Sequence, residues 1–450
     1  MINLKSDKNQ KTNETRLVQI LFYTFPLWFI VGNLAVSINT LLFIFTSLFL
    51  IKKKQLTFRF NNSYWLLIAF FLYFFISTAI QYLSPGYLNE RMQVLNPSLE
   101  NNPIFKSFLL IRFIILIFVI DTLFINKILN LKKLFLSSLL CTSFVSFDII
   151  VQYITEFDLF GLKKTWHNPV YNSGPFGDEL IAGSYLQKFS FFSFFYIFET
   201  YKNKNFSKPL FIFIIIFHLL AILLAGNRMP MVLFLFGCVL IIFFIRNLRI
   251  VMSLSLIIFI SIFFLLIKND KNYYHAYGGF LSDINIKKLI KSNKDITNKQ
   301  TGEKKAVNED TQEIPRSVIF LRHGAYNRIY HTAITMWKEQ PLTGFGLKSF
   351  RIKCWGMLDK DNAERKIAKR PQFISCSNHP HNYYLELLSE TGIIGTSLMV
   401  IFFLILLKDC FNYLRKYNQQ KKPEMILLIP VIILFFLEIW PLKSTGSFFT

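Results

Sequence analysis

Charge is scarce in this 450-residue chain. Asp, Glu, Lys and Arg make up 17% of it, against about 25% in soluble proteins, and they cluster between long apolar runs. Acidic residues are the scarcer sign, 27 against 50 Lys and Arg, which leaves a formal charge of +23. Five cysteines are too few for a disulfide-built scaffold, and none of their spacings matches a zinc site. No repeat of about 20–50 residues is found, so solenoids and propellers are excluded. The alternating pattern of a membrane barrel is missing too. Met1 to Arg16 is polar and lysine-rich, with no short apolar stretch and small-residue cleavage site behind it. That reads as a cytoplasmic tail, not a cleaved signal peptide.

What the chain has is apolar mass: 53% hydrophobic residues, 17% aromatic and 52 Phe, with a mean hydropathy of +0.39. Segments at 17–32, 34–51, 64–83, 104–124, 134–153, 180–200, 209–225, 229–246, 249–268, 384–407 and 424–440 reach or approach the ~18–20 residues that cross a bilayer as a helix. Pro26 interrupts the first. Lipid offers no partner to an unpaired backbone group, so the spans must be helical. The expected fold is an all-α polytopic membrane protein with about eleven transmembrane helices and one large, mainly helical periplasmic loop domain.

Basic residues set the expected orientation. Arg16, Lys52, Lys53, Lys54, Arg59, Lys127, Lys132, Lys133, Lys202, Lys204, Lys208, Arg246, Arg249, Lys408, Arg415, Lys416, Lys421 and Lys422 fall on the N-terminal side. The short loops of the other side hold only Arg91, Lys163, Lys164 and Arg228, with Lys106 at an edge. Cytoplasmic loops collect Lys and Arg, so the N-terminus is expected inside, in a bacterial inner membrane. The same rule explains the net charge better than nucleic-acid binding, and no nucleic-acid partner is expected. The division read from this pattern is a cytoplasmic tail (1–16), a membrane domain of about nine helices (17–268), a periplasmic loop domain (269–383) and C-terminal membrane helices (384–450).

The loop is too long and too charged for a connector, with 20 Lys and Arg against 11 Asp and Glu. Residues 282–312 lack aromatics and read as a mobile insertion. Val318, Ile319, Leu321, Ile329, Ala333, Ile334 and Trp337 recur at helical spacing and predict a helix over about 316–338. It ends before Pro341, and Gly344 and Gly346 mark a turn. Cys354 and Cys376, both in the loop, are a candidate disulfide in an oxidising periplasm.

Three features can carry chemistry. Arg228 lies in the hairpin Gly226-Asn227-Arg228-Met229-Pro230 between two apolar spans. It reads either as a snorkelling interface arginine or as a guanidinium that grips phosphate. His379 and His381 lie in Ser377-Asn378-His379-Pro380-His381-Asn382-Tyr383-Tyr384, where the loop enters a span. A neutral imidazole there can take a proton from a hydroxyl; the plainer reading is a polar helix start. Zinc would need a third ligand that the sequence does not offer. Glu386 and Glu390, four apart on one helical face, either orient the imidazole or bind substrate. Arg322, His323, Arg328 and His331 lie on the loop helix, as a phosphate-attracting face or as solvated charges. Asp359-Lys360-Asp361 matches the short Asp-x-Asp pattern of nucleotide-sugar enzymes, a frequent chance match. Arg112, Asp148 and Lys188 fall within apolar spans, where charges pair or line a cavity.

Taken together, Met336-Trp337-Lys338-Glu339-Gln340-Pro341-Leu342-Thr343-Gly344-Phe345-Gly346, then His381-Asn382-Tyr383-Tyr384-Leu385-Glu386-Leu387-Leu388-Ser389-Glu390-Thr391-Gly392, and Asn227-Arg228 at a hairpin resemble the O-antigen ligase and O-antigen polymerase superfamily. The resemblance is most specific over about 210–400, and the layout with one late loop extends it along the chain. It implies transfer of a glycan from undecaprenyl diphosphate to an acceptor hydroxyl at the periplasmic face, without metal or cofactor. The implied partners are the undecaprenyl-diphosphate-linked glycan, lipid A–core or another glycan acceptor, and membrane lipid. Matched residue by residue, the catalytic histidine falls on His381 and the hairpin arginine on Arg228. A further diphosphate-binding arginine falls on Arg322 or Arg328, and Asn382, Glu386 and Glu390 are supporting residues. The chemistry is coherent: guanidiniums neutralise the leaving diphosphate, and an imidazole with an ordinary pKa near ~6.5 deprotonates a sugar hydroxyl. Lipid A–core is the favoured acceptor. A polymerase joining lipid-linked repeat units and a protein O-oligosaccharyltransferase share the motifs. A lipid-linked glycan transporter or flippase, the reading from another class, predicts paired broken spans that the sequence does not show.

Overall fold

The computed structural model describes residues 12–83, 102–164, 170–201, 204, 207–274, 277, 325–368, 373–420, 422–444 and 446–449. Arg322, His323, the 282–312 stretch and the first part of the 316–338 helix lie outside the described residues. Among those described, the chain is all-helical with no named strand. The helices are α1 (Asn13–Tyr23), α2 (Phe25–Val31), α3 (Asn33–Lys54), α4 (Asn62–Leu83), α5 (Pro103–Leu109), α6 (Ile111–Ile125), α7 (Leu131–Thr155), α8 (Ala182–Tyr201), α9 (Ser207–Leu224), α10 (Arg228–Phe244), α11 (Arg249–Asn269), α12 (Ala325–Glu339), α13 (Phe350–Ala368), α14 (Tyr383–Gln420) and α15 (Ile429–Glu438).

Among the described residues, seven helical stretches are long and apolar enough to cross a membrane: α3, α4, α5 with α6, α7, α9, α11 with the turn before it, and α14. The protein is therefore a polytopic helical membrane protein. The other four segments expected as spans are helical but shorter or more polar. The 17–32 segment is split into α1 and α2 at Thr24, just ahead of Pro26. The 424–440 segment is a 3-10 turn followed by the ten residues of α15. α10 has 17 residues, and α8 carries Ser184, Gln187, Lys188, Ser190 and Ser193 among its aromatics.

The chain forms two compact units. The first comprises Met1–Phe60, Phe113–Gly278 and Leu406–Trp440; the second comprises Asn61–Arg112, Gly279–Ile405 and Pro441–Thr450. In the first unit, α7, α8, α9, α10, α11 and α15 share one core rich in Phe, with Phe191 stacked on Phe234 at 4.9 Å. A polar knot sits inside it. His218 of α9 is fully buried, its Nε2 3.0 Å from Thr142 Oγ1 and its Nδ1 3.0 Å from Ser146 Oγ, both on α7. Thr142 in turn meets Ser193 of α8 at 2.9 Å. Interhelical hydrogen bonds of this kind each hold a membrane bundle by about 1 kcal/mol. Asp148, one of the charges inside an apolar segment, is buried and accepts the Leu159 N–H at 2.7 Å, which ties the 156–164 loop to α7.

The second unit is organised by a broken helix. α14 has non-helical backbone at Gly392 (φ 62°, ψ −167°), and Pro341–Gly346 runs along the break. Phe345 and Gly346 donate to the carbonyls of Ser389 (3.1 Å) and Glu390 (2.8 Å) that the break releases. Pro341 and Leu342 accept from Ile393 (2.8 Å) and Ile394 (3.3 Å) just beyond it. Irregular backbone is tolerated at a membrane level only when every polar group is satisfied, and here the loop does that. The fit requires glycine on both sides. A β-carbon on Gly392 would fall 2.3 Å from the Leu342 carbonyl oxygen, and one on Gly344 2.5 Å from the backbone of Glu390. α4 closes the joint, with Tyr73 Oη donating to the Thr391 carbonyl (2.9 Å) and Ser77 Oγ to that of Thr343 (3.1 Å).

Candidate active site

His381 stands at the entrance of α14 with left-handed backbone, φ 55°, a conformation that costs a residue with a β-carbon about 1–2 kcal/mol. The next residue holds it there. Asn382 is the N-cap: its Oδ1 accepts the N–H groups of Tyr384 (3.0 Å) and Leu385 (3.2 Å), and its Nδ2 donates to the Pro441 carbonyl at 2.7 Å. The side-chain amide thus binds the helix start and the C-terminal segment together. The half-buried imidazole packs edge-on against Tyr326 of α12, ring centroids 5.1 Å apart, and lies 4.3 Å from the His379 ring.

The segment leading to His381 is pinned at three points. Cys354 of α13 is disulfide-bonded to Cys376, with a Cα–Cα distance of 5.6 Å. Thr332 Oγ1 accepts from Ser375 N–H and donates to its carbonyl, both at 3.1 Å. Ser377 Oγ donates to the His379 carbonyl. Below them Ile329, Ala333, Met336, Phe345, Phe350 and Cys354 form a small core. Asp361, of the Asp-x-Asp match, is buried and accepts from Phe373 (3.1 Å) and Ile374 (3.3 Å). Its carboxylate anchors backbone.

Glu386 and Glu390 share a face as the spacing predicts, and both are buried. Their oxygens are taken up by other segments of the second unit. Glu386 accepts from Ser447 Oγ (2.5 Å) and the Phe448 N–H (2.6 Å), fastening the C-terminal residues to α14. Glu390 accepts from the N–H groups of Lys348 (2.8 Å) and Phe350 (3.3 Å), capping α13 from outside. Arg328 is exposed, and two residues on from Tyr326 it lies about 200° around α12 from the ring that touches His381. His331 is half-buried on the same helix; burial first, and then the Lys338 charge, push its imidazole below the ordinary histidine range.

Sequence reasoning missed a group of cations in this unit. Lys348 follows Gly346 closely, has left-handed backbone (φ 56°) and is half-buried. Burial, then the charges of Arg351 and Lys106, lower its pKa, while Glu390 and Glu386 oppose the shift without overcoming it. Lys443 is buried, its ammonium 4.7 Å from the centre of the Tyr383 ring. Only Lys106 carried any signal in the sequence, as a basic residue at a span edge; the grouping depends on chain segments far apart.

In the first unit, Arg228 is the first residue of α10 and exposed. Asn227 fixes the hairpin, its Oδ1 accepting from Gly183 N–H (3.2 Å) and its Nδ2 donating to the Leu180 carbonyl (3.1 Å). Gly226 (φ 76°) leaves no room for a β-carbon, which would meet the Val170 carbonyl oxygen at 2.7 Å. With its side chain so engaged, Asn227 does not cap α10. A helix N-terminus favours anions, so a cation held there sits against the dipole until an anion joins it. Arg228 forms no hydrogen bond or ion pair among the described residues, and its charge reaches the Tyr277 phenol.

These features define a multi-span helical membrane protein with a histidine-bearing loop domain. Residues 211–400 match the family model of O-antigen ligase, and over that region the chain is similar to the family. The matched stretch holds Arg228, Arg328, the Pro341–Gly346 turn, His381 and the Gly392 break. No curated protein matches the chain.

Proposed function

We propose that this protein transfers an O-antigen-like glycan from undecaprenyl diphosphate to an acceptor hydroxyl, lipid A–core being the favoured acceptor, at the periplasmic face of the inner membrane. The observation that carries the reading is His381, held in strained backbone by the Asn382 cap inside the family-matched region. Strained, over-determined backbone concentrates at functional positions. His381 accepts the proton of the attacking hydroxyl. The hydroxyl oxygen forms the new glycosidic bond as the bond from the anomeric carbon to the diphosphate breaks, inverting that carbon. Arg228, at an uncapped helix N-terminus, neutralises the departing diphosphate together with Arg322 or Arg328, work that a metal ion does in other transferases.

The direct test is transfer in vitro, from a synthetic undecaprenyl-diphosphate sugar to lipid A–core, to a lipid-linked repeat unit and to a protein acceptor. His381→Ala is expected to lower the rate by about 10²–10⁴-fold, the usual worth of a general base. Arg228→Ala is expected to cost more than Arg228→Lys. Full activity of His381→Ala, at wild-type levels in the membrane, would remove the imidazole from the reaction. Transfer to the repeat unit alone would assign a polymerase. Transfer in detergent, with no sealed compartment, separates this reading from transport.

A further inference from the structure

We propose that Lys106, Lys348 and Arg351 form an anion site within the second unit that takes a phosphate group of a lipid-borne substrate. Three cations from two elements and a turn bear on one another here: the charges of Lys106 on α5 and of Arg351 in the first turn of α13 both act on Lys348, in the turn before α13. All three are half-buried, so each has given up part of its water. The two nearby carboxylates do not compensate them directly. Each oxygen of Glu386 and Glu390 is engaged by a backbone N–H or by the Ser447 hydroxyl. None of the three cations forms an ion pair among the described residues.

Donors are also left over. Arg351 Nε and the fully buried Ser349 Oγ have no hydrogen-bond partner among the described residues. Buried donors without acceptors are costly, and a guanidinium, an ammonium and a hydroxyl together suit a tetrahedral oxyanion such as phosphate. The fold supports this arrangement at a cost, because Lys348 holds left-handed backbone. Its backbone N–H is fixed in that conformation by Glu390, the same carboxylate that caps α13. Lys106 lies at the start of the apolar stretch 103–125, which puts the group at a membrane boundary, where lipid phosphates lie. That the phosphate is substrate-borne rests on the glycan-transfer reading; that the site binds phosphate does not.

The test is calorimetric titration of the full chain in phosphatidylcholine nanodiscs, with inorganic diphosphate and with farnesyl diphosphate as probes. Both are expected to bind, farnesyl diphosphate more tightly. Lys348→Asn with Arg351→Gln is expected to weaken both by about tenfold or more, since each lost charge-assisted hydrogen bond is worth at least that ratio. Lys348→Arg with Arg351→Lys should restore binding. Lys106→Gln, on a separate helix, gives an independent reading if the double variant does not fold, and is expected to weaken both probes several-fold. Unchanged affinity in the double variant, or in Lys106→Gln where that alone can be read, overturns the proposal. If phosphatidylglycerol discs abolish the binding of both probes, the site serves bulk headgroups and its substrate role is overturned. His381→Ala is expected to bind both probes normally while losing transfer, so failure of the catalytic reading and failure of this one are separable.

Discussion

An amide side chain that binds in two directions has a different consequence for each substitution, and Asn382 can be read that way. Asn382→Ala removes the acceptor for two helix N–H groups and the donor to Pro441. A lost N-cap costs about 1 kcal/mol of stability. The larger expected effect is on kcat: His381 loses what holds it left-handed, while substrate contacts and KM stay nearly unchanged. Asn382→Ser, which keeps a capping oxygen, should recover most of the rate. Steady-state kinetics on the two variants decides it, and equal losses in kcat for Ser and Ala would remove the cap from the argument. His381 and Asn382 were legible in the sequence because a polar cap immediately before an apolar helix is a local signal. Glu386 and Glu390 were legible only as a pair on one face. Their partners, Lys348, Phe350, Ser447 and Phe448, lie about 40 and 60 residues away, beyond any local rule.

At the scale of elements, the break in α14 and the Pro341–Gly346 turn are one structure made by two motifs. The turn was read from its glycines, whereas the break was not, because the apolar pattern over 384–407 continues straight through Gly392. Gly392→Ala puts a β-carbon on the Leu342 carbonyl and asks alanine for φ 62°. Strain plus backbone displacement is expected to lower the thermal transition sharply, by more than the ~1 kcal/mol of an ordinary helix glycine replacement. Transfer should fall with it. A Gly392→Ala protein with wild-type melting and activity would mean that the loop does not occupy the break. The loop helix also carries a pH signal. The folded pKa of His331 is depressed, so the unfolded chain binds its proton more readily. The stabilisation is fully present above the unfolded value of about 6.5 and is lost as pH falls through the folded value. Melting between pH 7.5 and 5.5 should therefore show a decline that His331→Gln flattens.

For the molecule as a whole, hydropathy sets the class and charge gives an expected orientation, but segment length is the weaker guide. Among the described residues seven stretches meet the length and polarity of a span, and the segments that fall short are those broken near Pro26 and Pro430, α10 with only 17 residues, and α8, diluted with Ser, Gln and Lys. Apolar runs register burial in either lipid or protein, and the shared core of α8, α10 and α15 with α7 and α9 gives the shorter ones a protein environment. Orientation rests on a separate argument. Lys52, Lys53 and Lys54 end α3, Arg246 and Arg249 flank the start of α11, and Lys132 and Lys133 open α7. Each lies in or beside a short connection, where the basic-residue bias operates. Single cysteines placed at Lys53, Lys133 and Arg249, in a chain whose native cysteines are replaced by serine, are expected to resist a membrane-impermeant maleimide in intact spheroplasts. Cysteines at Lys163, Glu179 and Lys360 are expected to react. All six should label after the membrane is opened. The reverse pattern would place the loop domain and His381 in the cytoplasm, where a lipid-linked glycan awaiting ligation would not be met, and the proposed reaction would fall with the topology.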